Sequence, residues 1–134
     1  MNDRIKILDS VFSEYIRRRD SDASGYIRCI SCGRRVHWTD ADNGHFIPRG
    51  NMSLRYDERN CNAQCRVCNR AKDGNMAGYR AGMLMKYGPD IIDELNATKW
   101  QVAKWPKYAV EQTIRHYRTL IKNMGRQQCR NNGE

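Results

Sequence analysis

The chain has 134 residues, 40% hydrophobic and 29% charged, with 24 Lys and Arg against 15 Asp and Glu for a formal charge of +9. That length is about one ordinary domain with a modest core, and the composition excludes a disordered segment. No apolar run approaches the length needed to span a bilayer, and "MNDRIKILDSVF" alternates charge with apolar residues, unlike a signal peptide. We expect a cytoplasmic protein, where paired thiols favour metal binding over disulfides, and a polyanion rather than a membrane as partner.

Ile5, Leu8, Phe12, Tyr15 and Ile16 recur at helical spacing and predict an amphipathic helix over 4–19. Arg17, Arg18 and Arg19 sit at its negative end, and "DSDASG" breaks it, with Gly25 as the stop. From 26 to 48 the pattern is short, Gly-punctuated and partly β-branched. It reads as a knuckle around Cys29 and Cys32, then strand pieces near 36–39 and 45–47. "NAQCRVCNRAKDGN" reads as a second knuckle running into a short helix, which "NMAGYRAGMLMKY" continues. Gly88 and Pro89 punctuate the chain before "PDIIDELNA", a short helix with Pro89 at its first position. Pro106 opens a long helix with an apolar seam of Val110, Ile114, Tyr117, Ile121 and Met124, ending in a frayed "GRQQCRNNGE". The fold class is α+β in one domain over 1–134: an N-terminal helix (1–25), a cysteine-framed core (26–80) and a helical region (81–134).

Two C-x-x-C pairs, Cys29/Cys32 and Cys65/Cys68, stand 32 residues apart. Each pair offers two thiolates from one tight turn, and two such turns complete a tetrahedron around Zn²⁺. Two disulfides or unrelated buried thiols are the alternatives. A closed four-sulfur site is structural, and ties together an insert too small to build its own core. Cys61 and Cys129 read as ordinary small side chains. Between Tyr26 and Gly88 there are 11 basic residues, nine of them arginine, against five acidic ones. Arginine forks onto phosphate, so a nucleic acid is the expected polyanion.

The insert carries "DNGH" (42–45) and "RYDERN" (55–60), followed by "QCRVCN" (64–69) and Lys72. This pattern resembles the HNH, or ββα-metal, endonuclease superfamily. The run from "CISCG" through "NGHF", "LRYDERN" and "CRVCN" to "GYR" is similar to the NinG (Rap) recombination endonucleases of lambdoid phages, over about residues 5–120. The resemblance implies a small zinc-stapled ββα core flanked by helices, in a phage or prophage protein acting in the host cytoplasm. It also implies cleavage of branched DNA such as Holliday junctions and D-loops. Family members often carry a basic, cysteine-bearing N-terminal extension that this sequence does not show. Carried over by position, His45 would be the general base and Asn60 the residue that fixes the loop. Asn69 would hold a catalytic Mg²⁺ or Mn²⁺.

The residues suit that chemistry. Histidine can take a proton from water at neutral pH, and a neutral oxygen ligand suits Mg²⁺, which keeps several waters. Asp42 is the nearest carboxylate. In a regular strand it faces away from His45, so joining it as a ligand would need a bulge at Gly44. Lys72 shares the Asn69 face of a helix, and Arg49, Arg55, Arg66 and Arg70 are candidate DNA-backbone clamps. His37 and His116 read as surface or packing residues. Trp38, Trp100 and Trp105 are expected in packing rather than on splayed bases. The Val110–Met124 seam is expected against the N-terminal helix; the alternative is a homodimer, which would pair two active sites on one junction. Other readings of the whole chain are a non-catalytic zinc-ribbon module and a sequence-specific HNH nuclease.

Overall fold

A computed structural model describes the backbone of residues 3–132 and the side chains of residues 3–127. Helix α1 (Asp3–Arg19) turns Ile5, Leu8, Phe12 and Ile16 inward, and it lies along the C-terminal helix α4 (Lys107–Asn132). Val110, Ile114 and Tyr117 of α4 bury against that stripe together with Tyr56 and Cys61. Phe12 meets Tyr117 and Tyr56 edge-on, at ring-centroid distances of 4.9 and 5.5 Å. Each such fully buried side chain contributes about 1.5–3 kcal/mol. The apolar seam is therefore spent within the chain, with Ile121 and Met124 half-buried beyond it. α4 runs through Gly125 to Asn132, into the stretch expected to fray; residues 133 and 134 lie outside the described residues. One glycine inside a helix costs only about 1 kcal/mol.

Between the helices lie two antiparallel two-stranded sheets, β1 (Tyr26–Arg28) with β2 (Arg35–His37), and β3 (Ala41–His45) with β4 (Cys61–Cys65). A 3-10 turn at Trp38–Asp40 occupies the place where the first strand piece was expected to run to residue 39, and the second strand ends at His45 instead of beginning there. β4 is buried along its whole length. α1 packs against the β3–β4 sheet, and helix α2 (Met76–Tyr87) reaches β4 through Tyr79 and Met83, whose hydroxyl and sulfur meet Asn62.

After β4 comes a π-helical turn, Val67–Ala71. The helix does not continue into α2 as the sequence suggested. Asp73, Gly74 and Asn75 all take positive φ, at 48°, 88° and 41°, and redirect the chain. Short polar Asp and Asn tolerate this left-handed region better than most residues. Gly78 and Gly82 then let α2 lie directly on the first knuckle, since a Cβ on either would come within 2.2 Å of the Ser31 or Ile30 carbonyl oxygen. Helix α3 (Ile91–Lys99) starts after Pro89 rather than on it and closes a second core of Leu54, Tyr79, Met83, Ile91, Ile92 and Leu95. No helix among the described residues is long and apolar enough to cross a membrane.

Candidate functional site

The two knuckles bring Cys29, Cys32, Cys65 and Cys68 together, with all four sulfurs within 4.8 Å of one another. They are free thiols, not disulfides. Zn–S bonds of about 2.3 Å in a tetrahedron require sulfur–sulfur edges of about 3.8 Å, and Cys32 and Cys65 stand 3.8 Å apart. N–H groups already point at sulfur: Cys68 N donates to Cys65 Sγ at 3.4 Å, and Asn75 Nδ2 to Cys68 Sγ at 3.3 Å. The four residues can hold a metal such as zinc, and three of them are buried. Cys61 is outside this group. It is wholly buried under α1, burial pushes its thiol pKa far up, and its Sγ donates to the Arg55 carbonyl at 3.5 Å. The side chain of Cys129 lies outside the described residues.

On the other side of Cys68 the character changes. A cavity of about 800 Å³ is lined by Asp9, Phe12 and Ser13 of α1, Asp42, Asn43 and His45 of β3, Arg49 and Arg55 of the loop between the strands, and Asn69, Arg70 and Asp73. His45 Nε2 lies 2.9 Å from the Arg55 carbonyl oxygen. The tautomer that donates there leaves the Nδ1 lone pair unspent. Burial lowers the imidazole pKa from its ordinary value, and the neighbouring Arg55 and Arg49 charges push the same way, against the bond to the Arg55 carbonyl and the charge on Asp9. The balance lowers the pKa, so the ring keeps its neutral form to lower pH than an ordinary histidine does.

The loop carrying that carbonyl is tied down by Asn60. Its side chain, fully buried, donates to the Ile47 and Leu54 carbonyls at 2.9 and 3.1 Å and accepts the Ile47 N–H at 2.8 Å. Asn69 donates from Nδ2 to Asp42 at 2.9 Å and keeps its carbonyl oxygen. Arg70 grips the same carboxylate with two bonds of 2.9 Å, and Arg66 stands 3.9 Å from it.

The bulge needed to put Asp42 and His45 on one face does not occur. Pairing runs in unbroken register from Ala41↔Cys65 to His45↔Cys61. Gly44 serves a different purpose: a Cβ there would meet Gln64 Oε1 at 2.3 Å, so the missing side chain makes room for the buried Gln64 amide. Asp42 and His45 stay on opposite faces and still reach one cavity, because the cavity wraps the outer edge of β3, the edge not paired with β4.

Arg55 is a correction. It is 2% exposed and paired with Asp9 through both guanidinium and carboxylate arms, so it supports the cavity wall and is not a surface clamp. A lone charge is too costly to bury, and the sequence did not reveal that Asp9, 46 residues earlier, supplies its partner. Burial works to raise Asp9, but the bonds from Arg55 and Tyr56 hold its pKa below the usual carboxylate value. Arg49, Arg66, Arg70 and Lys72 are exposed; Lys72 does not line the cavity.

Trp38 packs beside Ile27, Ala41 and Ala63, with Arg17 and Arg18 over its ring. Trp105 packs on Tyr56. Trp100, against expectation, is 79% exposed. His37 caps the 3-10 turn through Thr39, and His116 lies edge-on to Tyr117.

Sequence reasoning missed Asn43. It shares the His45 face of β3, two residues away, and its Oδ1 is buried with no hydrogen-bond partner among the described residues. Strand alternation from His45 was the signal that could have found it.

Comparison with known proteins places the chain. The family model described as "Bacteriophage Lambda NinG protein" matches residues 1–127. Among relatives, the protein named ninG of Escherichia phage 933W is 36% identical over 105 residues, covering 73% of this chain and 49% of its own length. The ninG protein of Escherichia phage lambda is 34% identical over 105 residues, covering 73% and 48%. That of Salmonella phage P22 is 36% identical over 96 residues, covering 69% and 44%. The chain thus spans about half the length of these relatives. No solved structure matches it. The chain belongs to the NinG family of bacteriophage proteins.

Proposed function

We propose that this chain is the core of a divalent-metal-dependent DNA endonuclease with an HNH-like centre, specific for branched DNA. The observation that carries the reading is the neutral, Nε2-anchored His45 sharing one cavity with Asp42 and Asn69. Strand, tied loop, strand and short helical turn present these residues in the order the ββα-metal resemblance implies. The branched substrate comes from that family resemblance.

The cavity's donors suit a hard cation. Asp42 offers a carboxylate and Asn69 a carbonyl oxygen. A divalent cation bound there would supply charge stabilisation for the reacting phosphate and the leaving 3′-oxygen. His45 Nδ1 takes the proton of the attacking water, while the Arg55 carbonyl holds the ring in the tautomer that can do so. Asn60 keeps that carbonyl in place by locking the loop. Arg49, Arg66 and Arg70 meet DNA phosphates at the rim. The four-cysteine group holds structural Zn²⁺ and has no open position for a substrate.

A non-catalytic DNA-binding module is the second reading, favoured by Arg70, which already neutralises Asp42. Incubating the protein with Mg²⁺ or Mn²⁺ and linear, flapped and four-way DNA of shared sequence separates the two. Metal-dependent cutting of the branched forms supports the nuclease; binding without cutting under every metal condition supports the module.

A further inference from the structure

The connection between α3 and α4 combines two properties rarely left together on a surface. Trp100, Val102 and Tyr108 are 79%, 88% and 66% exposed. An exposed indole leaves a flat π face free for a stacking partner. Lys99, Lys104 and Lys107 are interleaved with them, and no acidic residue occurs between Glu94 and Glu111. Lys99 Nζ sits 5.1 Å from the Trp100 ring centroid.

The segment is held rigidly, and on the loop that borders the cavity. Asn51 Nδ2 donates to the Lys99 carbonyl at 3.1 Å, and Ser53 Oγ to the Thr98 carbonyl at 3.1 Å. Trp105 Nε1 donates to the Met52 carbonyl at 3.1 Å and meets Tyr56 edge-on. Asn51 is two residues from Arg49 on the cavity rim. Trp105 is thus the pin, and Trp100 is what the pinned segment displays.

We infer that Trp100, with Tyr108 and the three lysines, is a stacking platform for unpaired nucleotides beside the cavity, a deduction that rests on reading the chain as a DNA-acting protein. The chemistry selects this occupant. Lysines interleaved with aromatics match a strand whose phosphates and bases are both accessible, and every base offers a π face to an indole. A continuous duplex keeps its bases stacked inside and offers the rings nothing, whereas a branch point offers single-stranded or splayed bases.

The test measures binding without catalysis: fluorescence anisotropy of labelled dT20 and of a 20-bp duplex, with no divalent metal or chelator added. Trp100→Ala should weaken dT20 binding about tenfold and leave the duplex within about twofold, while Trp100→Phe keeps most of the affinity. Exposure of the indole makes misfolding of these variants easy to exclude by circular dichroism. Unchanged dT20 affinity in Trp100→Ala, equal losses on both DNAs, or a Phe variant as weak as Ala would each overturn the platform. A wild-type protein that does not bind dT20 would overturn it too and leave the patch to a protein partner. Failure of the nuclease reading looks different: Trp100-dependent dT20 binding with no cleavage in any metal.

Discussion

Cys68 and Asn69 are adjacent in sequence, yet they belong to two opposite kinds of site. Cys68 is buried and belongs to a group of four sulfurs, all soft donors within 4.8 Å of one another. Asn69 faces an open cavity of nitrogen and oxygen donors, partly held by an exposed arginine. The π-helical turn that carries both residues puts neighbours on different sides of the chain, and such turns recur at functional sites. With a metal bound, the four-sulfur clip would be closed and would supply rigidity. The cavity beside it keeps groups unspent: the Nδ1 lone pair of His45 and the carbonyl oxygen of Asn69.

The largest effect should come from the clip. Structural zinc supplies about 10–16 kcal/mol of apparent binding energy in small domains, more than a domain of this size has to spare. Serine at Cys29, Cys32, Cys65 or Cys68 should therefore release zinc and unfold the 26–75 region, read by metal analysis and circular dichroism. Cys61→Ser should keep zinc, because its hydroxyl can still donate to the Arg55 carbonyl. Zinc loss at Cys61 would redraw the clip.

The cavity should behave in the opposite way, losing chemistry and not structure. His45→Ala should cut the cleavage rate by about 10²- to 10⁴-fold with zinc content and DNA affinity retained. The pH profile sharpens this. If the neutral ring is the base, as proposed, the rate should fall as pH drops through the folded-state pKa. Burial lowers that pKa, so the acid limb should lie below the ordinary 6.5. The same shift makes acid destabilising, because the unfolded histidine takes up its proton first. That contribution is complete above about 6.5 and is lost as pH falls towards the folded value.

Asp9 joins the two behaviours, since it braces the cavity wall from α1. Asp9→Ala removes the carboxylate facing a guanidinium that is 2% exposed and should cost about 3 kcal/mol, seen as a lower urea midpoint. The smallest effect is expected at Asn69. Asn69→Ala should raise the Mg²⁺ needed for half-maximal cleavage by about tenfold while one zinc per chain remains. Equal loss of zinc would put Asn69 with the clip.

Local pattern revealed much of the fold. The α1 stripe, the two knuckles and the α4 seam are periodicities and spacings, and the structure has them as expected, with the seam docked on α1. What pattern could not reveal were pairings distant in sequence. Arg55 looked like a surface clamp because its partner, Asp9, lies on another element. Trp100 looked like core because tryptophan usually is, and its exposure follows from where Trp105 pins the segment. Asp42 looked unable to reach the side of His45 because alternation was applied to a strand in isolation. A two-stranded ribbon has an outer edge, and the cavity wraps it.

In the proposed function the cysteine clip is scaffold and His45 is the chemistry it presents. The most direct test is to cleave four-way junction DNA in Mg²⁺ or Mn²⁺ with wild-type protein and His45→Ala side by side, measuring zinc content and junction binding on the same preparations. Two folded proteins are expected, with one zinc each and equal junction affinity, of which only the wild type cuts. A wild type that binds the junction without cutting it, or a His45→Ala protein that cuts at the wild-type rate, would contradict it.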